Sequence, residues 1–492
     1  MRTTFLLRTA AVWCAFAPAA FANAQSEEDA LRLSYIQPHG SARSAAMANA
    51  FGALGADPVS AFLNPAGMGL YVASEFTFTP AFEVNDATST FYGTSASNTD
   101  TRFCIGNFGL VLHSPTEKKD GWKATSFGII YDRQASFHWE RQAVGDRVNS
   151  TILSGLVNEA NGTDPDLLYD AFPFTSGLAW DTYAIDPLDT NANTYVSVVP
   201  QGALLRQAHT IGSSGAVTNT TFFFAANRDD RLYLGGSLGI VGVRYSRTTI
   251  HHETTLDESI DIKDITFRED LTTRGTGVDL KIGAIYRPIE RLRLGLAFHT
   301  PTWLSLTDAY TTEMSTAFRA GDSYSRSSPD GSYAYRLNTP LSVLGSVAYV
   351  VGQHGAVSID YQWKDYRKAR FRRADAIADD YDFSAENAVI EHSGEMSHSV
   401  RVGTEWRAGP WYFRGGWGFH PDPFSKEDLR HGLPLTQYAL GVGWRNTHIS
   451  LDLGGTYAQR GSNYFPYDPA EVDAVNEDLT STRLLVTFAY RP

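Results

Sequence analysis

From residue 71 onward the side chains alternate between apolar and polar with a period of two, which is the pattern of β-strands and not of helices. Short polar turns join these segments in pairs, near residues 227–230, 287–290, 352–355, 408–410 and 445–447. Longer polar segments join one pair to the next, near residues 252–264, 307–331, 373–393, 421–434 and 461–477. Short turns at one end and long loops at the other are typical of membrane barrels. The sequence therefore predicts an all-β fold, a transmembrane antiparallel β-barrel of about 14 strands.

The alternation also assigns the two faces of each predicted strand. In residues 292–298 the leucines and Phe298 share one face, and Arg293 lies on the other. Asp360 and Asp452 are likewise placed opposite their apolar neighbours. An arginine that faces lipid at mid-membrane costs about 2–4 kcal/mol. We therefore expect the apolar faces to contact lipid and the charged faces to line the lumen.

One long segment lacks the alternation. Residues 141–217 are rich in Asn, Asp, Gly and Thr, with a short helix-like stretch near residues 152–157. Bacterial barrels carry long insertions at their extracellular end. We interpret 141–217 as such a loop, within a barrel that runs from residue 71 to residue 492.

Residues 1–24 have the pattern of a secretory signal peptide, with Arg2 and Arg8 before an apolar stretch and small residues at 22–24 for cleavage. Two of the 41 Lys and Arg residues lie there, so the mature chain carries 39 of them against 54 acidic residues, a net charge of −15. Such a charge disfavours nucleic-acid binding. No later apolar run approaches the roughly 20 residues of a membrane helix. The predicted location is the outer membrane of a Gram-negative bacterium, in contact with its lipid and lipopolysaccharide.

Cys104 is the one cysteine that remains after the signal peptide is removed. It has no partner for an intramolecular disulfide in an otherwise oxidising compartment. We interpret it as a small strand residue, with a free reactive thiol as the alternative.

The segment between the signal peptide and the first strand has a helical pattern. Met47, Phe51 and Leu54 recur at intervals of four and three residues, which predicts a helix with one apolar stripe. A second short helix is predicted to start after Asp57 and to end in a turn at residues 64–67. An apolar helical segment before a long β-chain suggests a plug, and we interpret residues 25–70 as a hatch inside the barrel.

This segment resembles the N-terminal hatch of the FadL/TodX family. The resemblance rests on Ala-Asp-Pro at residues 56–58 and Phe-Leu-Asn-Pro-Ala-Gly at residues 62–67, where Asn64, Pro65 and Ala66 match the family's hatch motif. Members of that family are outer-membrane transporters of long-chain fatty acids, aromatic hydrocarbons and other hydrophobic compounds. The resemblance implies passive uptake, in which a solute binds in the lumen, the hatch moves, and the solute leaves sideways into the membrane. Asn64, Pro65 and Ala66 would be gating residues.

Later segments extend the resemblance over most of the mature chain. Residues 275–310 resemble the family's strand–turn–strand segment with a Thr-Pro, and residues 338–340 and 358–361 resemble the branch found in Bacteroides-like bacteria. The end of the chain departs from the family, because Arg491 and Pro492 follow the last strand where an aromatic residue usually closes it.

The sequence offers little catalytic chemistry. His251 and His252 could suggest a metal or haem ligand, but neighbouring strand residues point to opposite faces and do not easily share one ion. The chain has no His-Glu-x-x-His, Gly-x-Ser-x-Gly or paired Cys-x-x-Cys motif. We therefore predict a protein that is not an enzyme and that has no cofactor and no metal.

Four basic residues are predicted to face the lumen: Lys281, Arg293, Arg401 and Arg414. In one interpretation they are structural and pair with hatch backbone groups and with three carboxylates, Asp360, Glu405 and Asp452. In the other, one or two of them hold the carboxylate of an amphipathic ligand. The tail of such a ligand would then contact four hatch residues: Phe51, Leu54, Phe62 and Leu63.

Two functions remain open at this point. The first is passive outer-membrane transport of a hydrophobic small molecule, by a barrel that we expect to be a monomer. The alternative is a receptor whose loops bind haem, a host molecule or a phage. The aromatic residues at 464–467 fit that use, and they equally fit loops that pack on one another.

Overall fold

The computed structural model describes residues 27–116, 120–189, 192–374 and 381–492, so the predicted signal peptide lies outside the described residues. The α-helices are α1 (Glu27–Ser34), α2 (Ala42–Ala45), α3 (Ser60–Leu63), α4 (Leu153–Ala160), α5 (Leu168–Ala171), α6 (Ser176–Asp181) and α7 (Ser384–Ser393). Short 3₁₀ helices cover Pro65–Leu70, Pro165–Leu167 and Tyr366–Lys368. None of the described helices is long and apolar enough to cross a membrane.

The strands fall into three groups along the chain. The first group is β1 (Glu75–Phe91), β2 (Thr94–Pro115), β3 (Trp122–Ser136), β4 (Trp139–Val148), β5 (Ile185–Asp189), β6 (Ala192–Ser197) and β7 (Leu205–Arg228). The second is β8 (Leu232–Thr255), β9 (Ile262–Ile289), β10 (Leu292–His299), β11 (Trp303–Phe318), β12 (Ser323–Ser327), β13 (Gly331–Asn338) and β14 (Ser342–Val351). The third is β15 (Gly355–Asp365), β16 (Arg370–Arg373), β17 (Met396–Ala408), β18 (Trp411–His420), β19 (Leu435–Arg445), β20 (Ile449–Tyr464) and β21 (Val475–Tyr490).

Except for the β5–β6 hairpin, these strands form one closed antiparallel wall in which β21 pairs with β1. Several wall strands are interrupted once: β3 continues as β4, β10 as β11, and β15 as β16, while β12 and β13 lead into β14. Counted this way the barrel has 14 strands, which confirms the predicted fold class. Two interruptions contain Pro301 and Pro340, which lack the N–H that a ladder needs.

The two faces of the wall differ as predicted. In β10, Leu294 and Leu296 are 41% and 60% exposed on the outer face, whereas Ala297 and His299 are buried on the inner face. Asp360 and Arg401 are also buried on the inner face. A wall that is apolar outside and polar inside is suited to span a membrane.

We name the two ends of the barrel by their connections. The turn end carries the short turns at residues 229–231, 290–291, 352–354, 409–410 and 446–448 and also the C-terminus. There Arg491 Nε lies 2.6 Å from Glu75 Oε2, joining the last strand to the first. The loop end carries α4, α5, α6 and the β5–β6 hairpin, whose apolar residues form one buried cluster with Phe91 and Val475 of the wall.

Two segments predicted as loops contain long extensions of the wall strands. Within residues 141–217, β4 continues to Val148 and β7 begins at Leu205, and within residues 307–331, β11 continues to Phe318. These extensions rise beyond the lipid-facing band, so their outer faces carry polar residues and the apolar alternation that marks a membrane strand is absent. The helix predicted near residues 152–157 is present as α4.

The helix predicted from Met47, Phe51 and Leu54 is wrong, because α2 ends at Ala45 and turns follow. Ala48 and Asn49 have φ values of 50° and 56°, which an α-helix does not accommodate. The three apolar residues are nevertheless buried together against the inner wall. Residues 27–71 lie inside the barrel, where the wall takes over the hydrogen bonding that a helix would supply.

Candidate functional site: hatch, lumen cavity and an interrupted wall

Asn64 organises the hatch at the predicted gating motif. Its Nδ2 donates to Gly52 O at 2.7 Å and to Ala284 O of β9 at 3.3 Å, and its Oδ1 accepts from Ala66 N at 3.2 Å. The side chain is fully buried. One amide therefore ties two hatch segments to each other and to the wall, while Pro65 opens a 3₁₀ helix.

The hatch approaches the wall at glycines. At each of them an added Cβ would come within 3.0 Å of a hatch atom: Gly235, Gly283, Gly295, Gly403, Gly416, Gly441 and Gly454. They lie on β8, β9, β10, β17, β18, β19 and β20, so contact is made around much of the lumen. The absent side chains allow backbone to pack on backbone, which leaves little free space beside the hatch.

We predict that Gly235→Ala destabilises the hatch and that its neighbour Gly236→Ala does not. A Cβ at Gly235 would lie 2.4 Å from the Pro65 carbonyl and 2.5 Å from Ala66 N, whereas one at Gly236 would lie 3.7 Å from its nearest atom. Overpacking of this kind costs about 1–3 kcal/mol. The test is urea unfolding of both variants in the same detergent, and equal unfolding free energies would contradict the packing described here.

Polar wall side chains also bind the hatch backbone. Asp360 accepts from Gly52 N at 3.0 Å, and Asp132 accepts from Gly40 N at 2.8 Å and from His39 N at 3.1 Å. Arg43 of the hatch contacts Glu405 through Nε and Nη2, at 2.9 and 3.0 Å. Hydrogen bonds from several wall residues therefore hold the hatch in place, in addition to its packing on the wall glycines.

A cavity of about 290 Å³ lies above the hatch, on the side of the loop end. Its apolar lining includes Leu31, Phe137, Tyr245, Phe424 and Leu479. Hatch residues from α1 to His39 form one wall, and inward-facing residues of the barrel form the rest. The cavity is large enough for part of a lipid-sized molecule.

Two of the four arginines that line the cavity have no ion pair in the described part of the chain, and the cavity also contains the carboxylate of Glu83, opposite Arg483 in the wall. Arg32 contacts Glu28 at 3.2 Å and Arg141 contacts Glu477 at 3.0 Å, so these two are neutralised. Arg460 and Arg483 also line the cavity, and within the described ranges neither has an ion pair with a carboxylate. Both lie on inward-facing positions of β20 and β21, a placement that the alternation reveals, although the sequence analysis did not single them out.

The four basic residues predicted to bind ligand lie away from this cavity, and three of them pair with carboxylates. Arg414 lies 2.6 Å from Glu405 and 2.7 Å from Asp452, and Arg401 lies 3.6 Å from Asp360. Lys281 pairs with Asp279, and Arg293 donates to Leu54 O. None of these four basic residues lines the cavity above the hatch.

The predicted hatch residues are core residues in this arrangement. Phe51, Leu54 and Leu63 belong to one buried cluster with the wall residues Leu344 and Ala348. Phe62 belongs to a second cluster, and none of the four lines the cavity above the hatch. Their contact with a solute requires the hatch to move.

The wall is interrupted beside this cavity. β2 pairs with β3 only from Asn107, opposite Asp132, to Pro115, opposite Ala124. In the described chain, residues 94–106 of β2 pair with β1 alone, while β4 pairs with β7. The third strand of the wall consists of β3 continued by β4. A gap in the ladder therefore separates β2 from this third wall strand between residue 107 and the loop end.

Side chains close the mouth of this gap. Arg102 Nη1 lies 2.7 Å from His138 Nδ1, and Asn85 Nδ2 donates to His138 O at 2.7 Å. His138 stands at the break between β3 and β4. Phe137, next to His138, lines the cavity, and so does Asn85 of β1, the strand that pairs with β2.

His39, Glu83 and Cys104 bring one nitrogen, one oxygen and one sulfur within 4.8 Å of one another. Burial lowers the pKa of His39 well below its ordinary value, and the charges of Arg483 and Arg133 lower it further. The imidazole is therefore neutral, and its 3.2 Å contact with Glu83 is a hydrogen bond. The same arginines disfavour a cation, so we interpret this cluster as a contact between hatch and wall.

His251 and His252 point to opposite faces of β8. His252 is 41% exposed, whereas His251 is buried and lies 2.9 Å from Glu253 and 3.3 Å from His209 Nδ1. Glu253 also accepts from Ile152 N at 2.9 Å, at the start of α4. This polar group anchors the outer loop to the wall.

No protein-family model and no curated protein matches the sequence. Solved structures do match over most of the chain. A FadL homologue from Pseudomonas aeruginosa aligns with a TM-score of 0.56 at 12% identity, covering 93% of this chain and 99% of the other. The toluene transporter TodX of P. putida aligns with a TM-score of 0.52 at 11% identity, covering 91% and 98%. The chain therefore has the fold of the FadL and TodX barrels, as the hatch motif and the alternation indicated.

Proposed function

We propose that this protein is an outer-membrane channel for the passive uptake of hydrophobic small molecules. The observation that carries the proposal is the gap between β2 and the third wall strand, beside a partly apolar cavity and above a hatch. Unpaired backbone at membrane depth is tolerated only where protein or a lumen satisfies it. A gap of this kind therefore offers a sideways exit that a continuous ladder would block.

The proposed route runs from the loop end to the membrane. A solute enters the cavity above the hatch, the hatch shifts, and the contact between Arg102 and His138 opens. The solute then leaves sideways at the part of the gap nearest Asn107, where Phe103 and Ile105 are exposed on the outer face of β2. On this route an apolar solute passes from the cavity into lipid without the free-energy cost of entering water. The turn end faces the periplasm in this orientation, because short turns lie on that side of bacterial barrels.

We further propose that the solute carries a carboxylate on an apolar tail, as a long-chain fatty acid does. Arg460 and Arg483 supply guanidinium groups that have no ion pair in the described chain, and the leucines and aromatic residues of the cavity supply the apolar contact. The two similar structures reported above are a FadL homologue and a toluene transporter, so a neutral hydrocarbon is the comparison to make. We propose a monomer in contact with lipid and lipopolysaccharide, with neither enzymatic activity nor cofactor.

We expect the double variant Arg460→Gln/Arg483→Gln to bind palmitate at least tenfold more weakly, because charge-assisted hydrogen bonds contribute about 1.5–3 kcal/mol. Hexadecane should bind to wild type and variant alike. The measurement is titration of each probe into purified protein in detergent. Arg228→Gln is the matched control, since Arg228 is exposed at the turn end, far from the cavity in the fold. An equal loss for both probes would show that the arginines support the structure and do not bind a carboxylate.

The alternative receptor function gains no support from the loops. Tyr467 is buried within the cluster at the loop end, and Tyr464 and Phe465 pack against it. These aromatic residues therefore hold the loops together and do not form an exposed binding surface.

A further inference from the structure

A second cavity of about 290 Å³ lies on the opposite side of the hatch, at the turn end. Leu54, Gly55 and Leu70 of the hatch form one side of it, and Arg293 and Tyr412 of the wall form the other. The hatch separates it from the cavity that the proposed solute enters.

Arginines outnumber carboxylates around this second cavity. Glu405 is contacted by two guanidinium groups, those of Arg43 and Arg414, and Arg414 also contacts Asp452. The local carboxylates are thereby neutralised. Any further guanidinium in this region adds uncompensated positive charge.

Three further guanidinium groups are present. Arg293 donates to the Leu54 carbonyl and Arg407 Nε donates to Gly409 O at 2.9 Å, while the buried Nε atoms of Arg293 and Arg445 have no hydrogen-bond partner. In the described part of the chain none of the three has a carboxylate within ion-pair distance.

Three guanidinium groups lie around the aromatic ring of Tyr412. The guanidinium carbons of Arg407, Arg414 and Arg445 lie 5.8, 5.5 and 5.2 Å from the centre of its ring. Cation–π contact with one ring offsets part of the repulsion between neighbouring cations. It also leaves their N–H groups available, and the planar fork of an arginine matches the oxygens of a carboxylate or phosphate.

We propose that this cavity binds an oxyanion, a carboxylate or a phosphate group, that reaches Arg293 and Arg407 from the turn end. Arg445 does not line the cavity, and it adds positive charge from beside Tyr412, which does. The anion supplies the negative charge that the surrounding residues lack. Its source is either a small soluble anion or the headgroup of a phospholipid from the facing leaflet. This proposal does not depend on the transported solute, because the hatch lies between the two cavities.

The test is a titration of inorganic phosphate into the full-length mature protein, purified in a non-ionic detergent free of phospholipid. We expect one saturable site, with affinity reduced at least tenfold in Arg407→Gln and further reduced in Arg407→Gln/Arg445→Gln. Arg407 is exposed, so its replacement leaves the fold intact. Arg228→Gln, which removes an exposed charge from another strand at the turn end, is the control and should bind phosphate as wild type does.

The source of the anion is decided by a second readout. Phospholipid that copurifies in mild detergent is counted per protein for wild type and Arg407→Gln. One fewer phospholipid in the variant identifies a headgroup, and equal counts together with the phosphate site identify a soluble anion. Phosphate binding that is absent in wild type, or unchanged in both cavity variants, overturns the proposal and leaves the proposed transport function untouched.

Discussion

A reducible cross-link across the gap should abolish uptake, with transport falling at least tenfold when the link forms and returning on reduction. The variant is Arg102→Cys/His138→Cys with Cys104→Ala, and a bifunctional methanethiosulfonate reagent joins the two thiols through a spacer. The spacer takes the place of the Arg102 side chain, whose far end makes the native contact of 2.7 Å. A direct disulfide bridges only about 7 Å between Cα atoms. Replacing Cys104 leaves no other thiol in the mature chain. Tying β2 to the break between β3 and β4 prevents the one separation that lateral release requires. The measurement is uptake of a radiolabelled hydrophobic solute by cells that produce the variant.

A matched cross-link separates this effect from the reagent itself. Thr88 and Ser97 face each other across β1 and β2, with their hydroxyl oxygens 2.9 Å apart, and they do not bridge the gap. A Thr88→Cys/Ser97→Cys variant with Cys104→Ala should transport normally with and without the cross-link. If the gap-tied variant also transports normally when cross-linked, the solute leaves by another route.

Replacing hatch residues 44–66 by a Gly/Ser linker of the same length should turn the barrel into an open, water-filled pore. The native hatch contacts wall glycines from β8 to β20 and leaves little space beside it, whereas a flexible linker fills no fixed volume. Single-channel recording in a planar bilayer should show sustained conductance for the variant and almost none for wild type.

Asn64→Ala weakens the attachment of the hatch without removing the hatch. It removes bonds to Gly52 O and Ala284 O and leaves buried backbone groups unpaired, at a cost of about 1–3 kcal/mol each. We expect intermittent conductance. Asn463→Ala, which removes one bond to His431 O at the loop end, is the matched control and should stay closed. Closed behaviour of the linker variant would mean that the hatch does not seal the lumen.

The sequence predicts the wall well where the wall meets lipid. Leu294 and Leu296 must be apolar because they face hydrocarbon, and the alternation follows from that requirement. Beyond the lipid band the requirement ends. The ladders of β7 near Leu205 and of β11 near Phe318 are therefore not visible as alternation.

The hatch shows a different limit of the sequence. The burial of Met47 and Phe51 follows from their apolar character, but their backbone does not form the predicted helix. Wall side chains bind the hatch backbone instead: Asp360 binds Gly52 N, and Thr487 Oγ1 accepts from Ala42 N at 2.7 Å. Those partners lie hundreds of residues away along the chain, so the local periodicity of the sequence cannot reveal them.

The site depends on similar long-range information. Arg414 and Arg483 are both inward-facing arginines in the sequence. Pairing of Arg414 with carboxylates is one of two interpretations of the sequence, and the fold is needed to show that Arg414 is paired while Arg483 faces the cavity. The gap beside β2 is a missing pairing between strands, which no local pattern encodes. The hatch motif at residues 64–66 is visible in the sequence through its resemblance to a known family, whereas the contacts of Asn64 come only from the fold.

The most direct test of the transport proposal is to identify what the protein holds when it is purified in mild detergent. Bound small molecules are extracted and measured by mass spectrometry, and the visible absorbance of the sample is recorded. We predict a fatty acid or a hydrocarbon at close to one molecule per chain, reduced in Arg460→Gln/Arg483→Gln if it bears a carboxylate. A haem absorption band with no hydrophobic solute would contradict the proposed function and favour the receptor alternative.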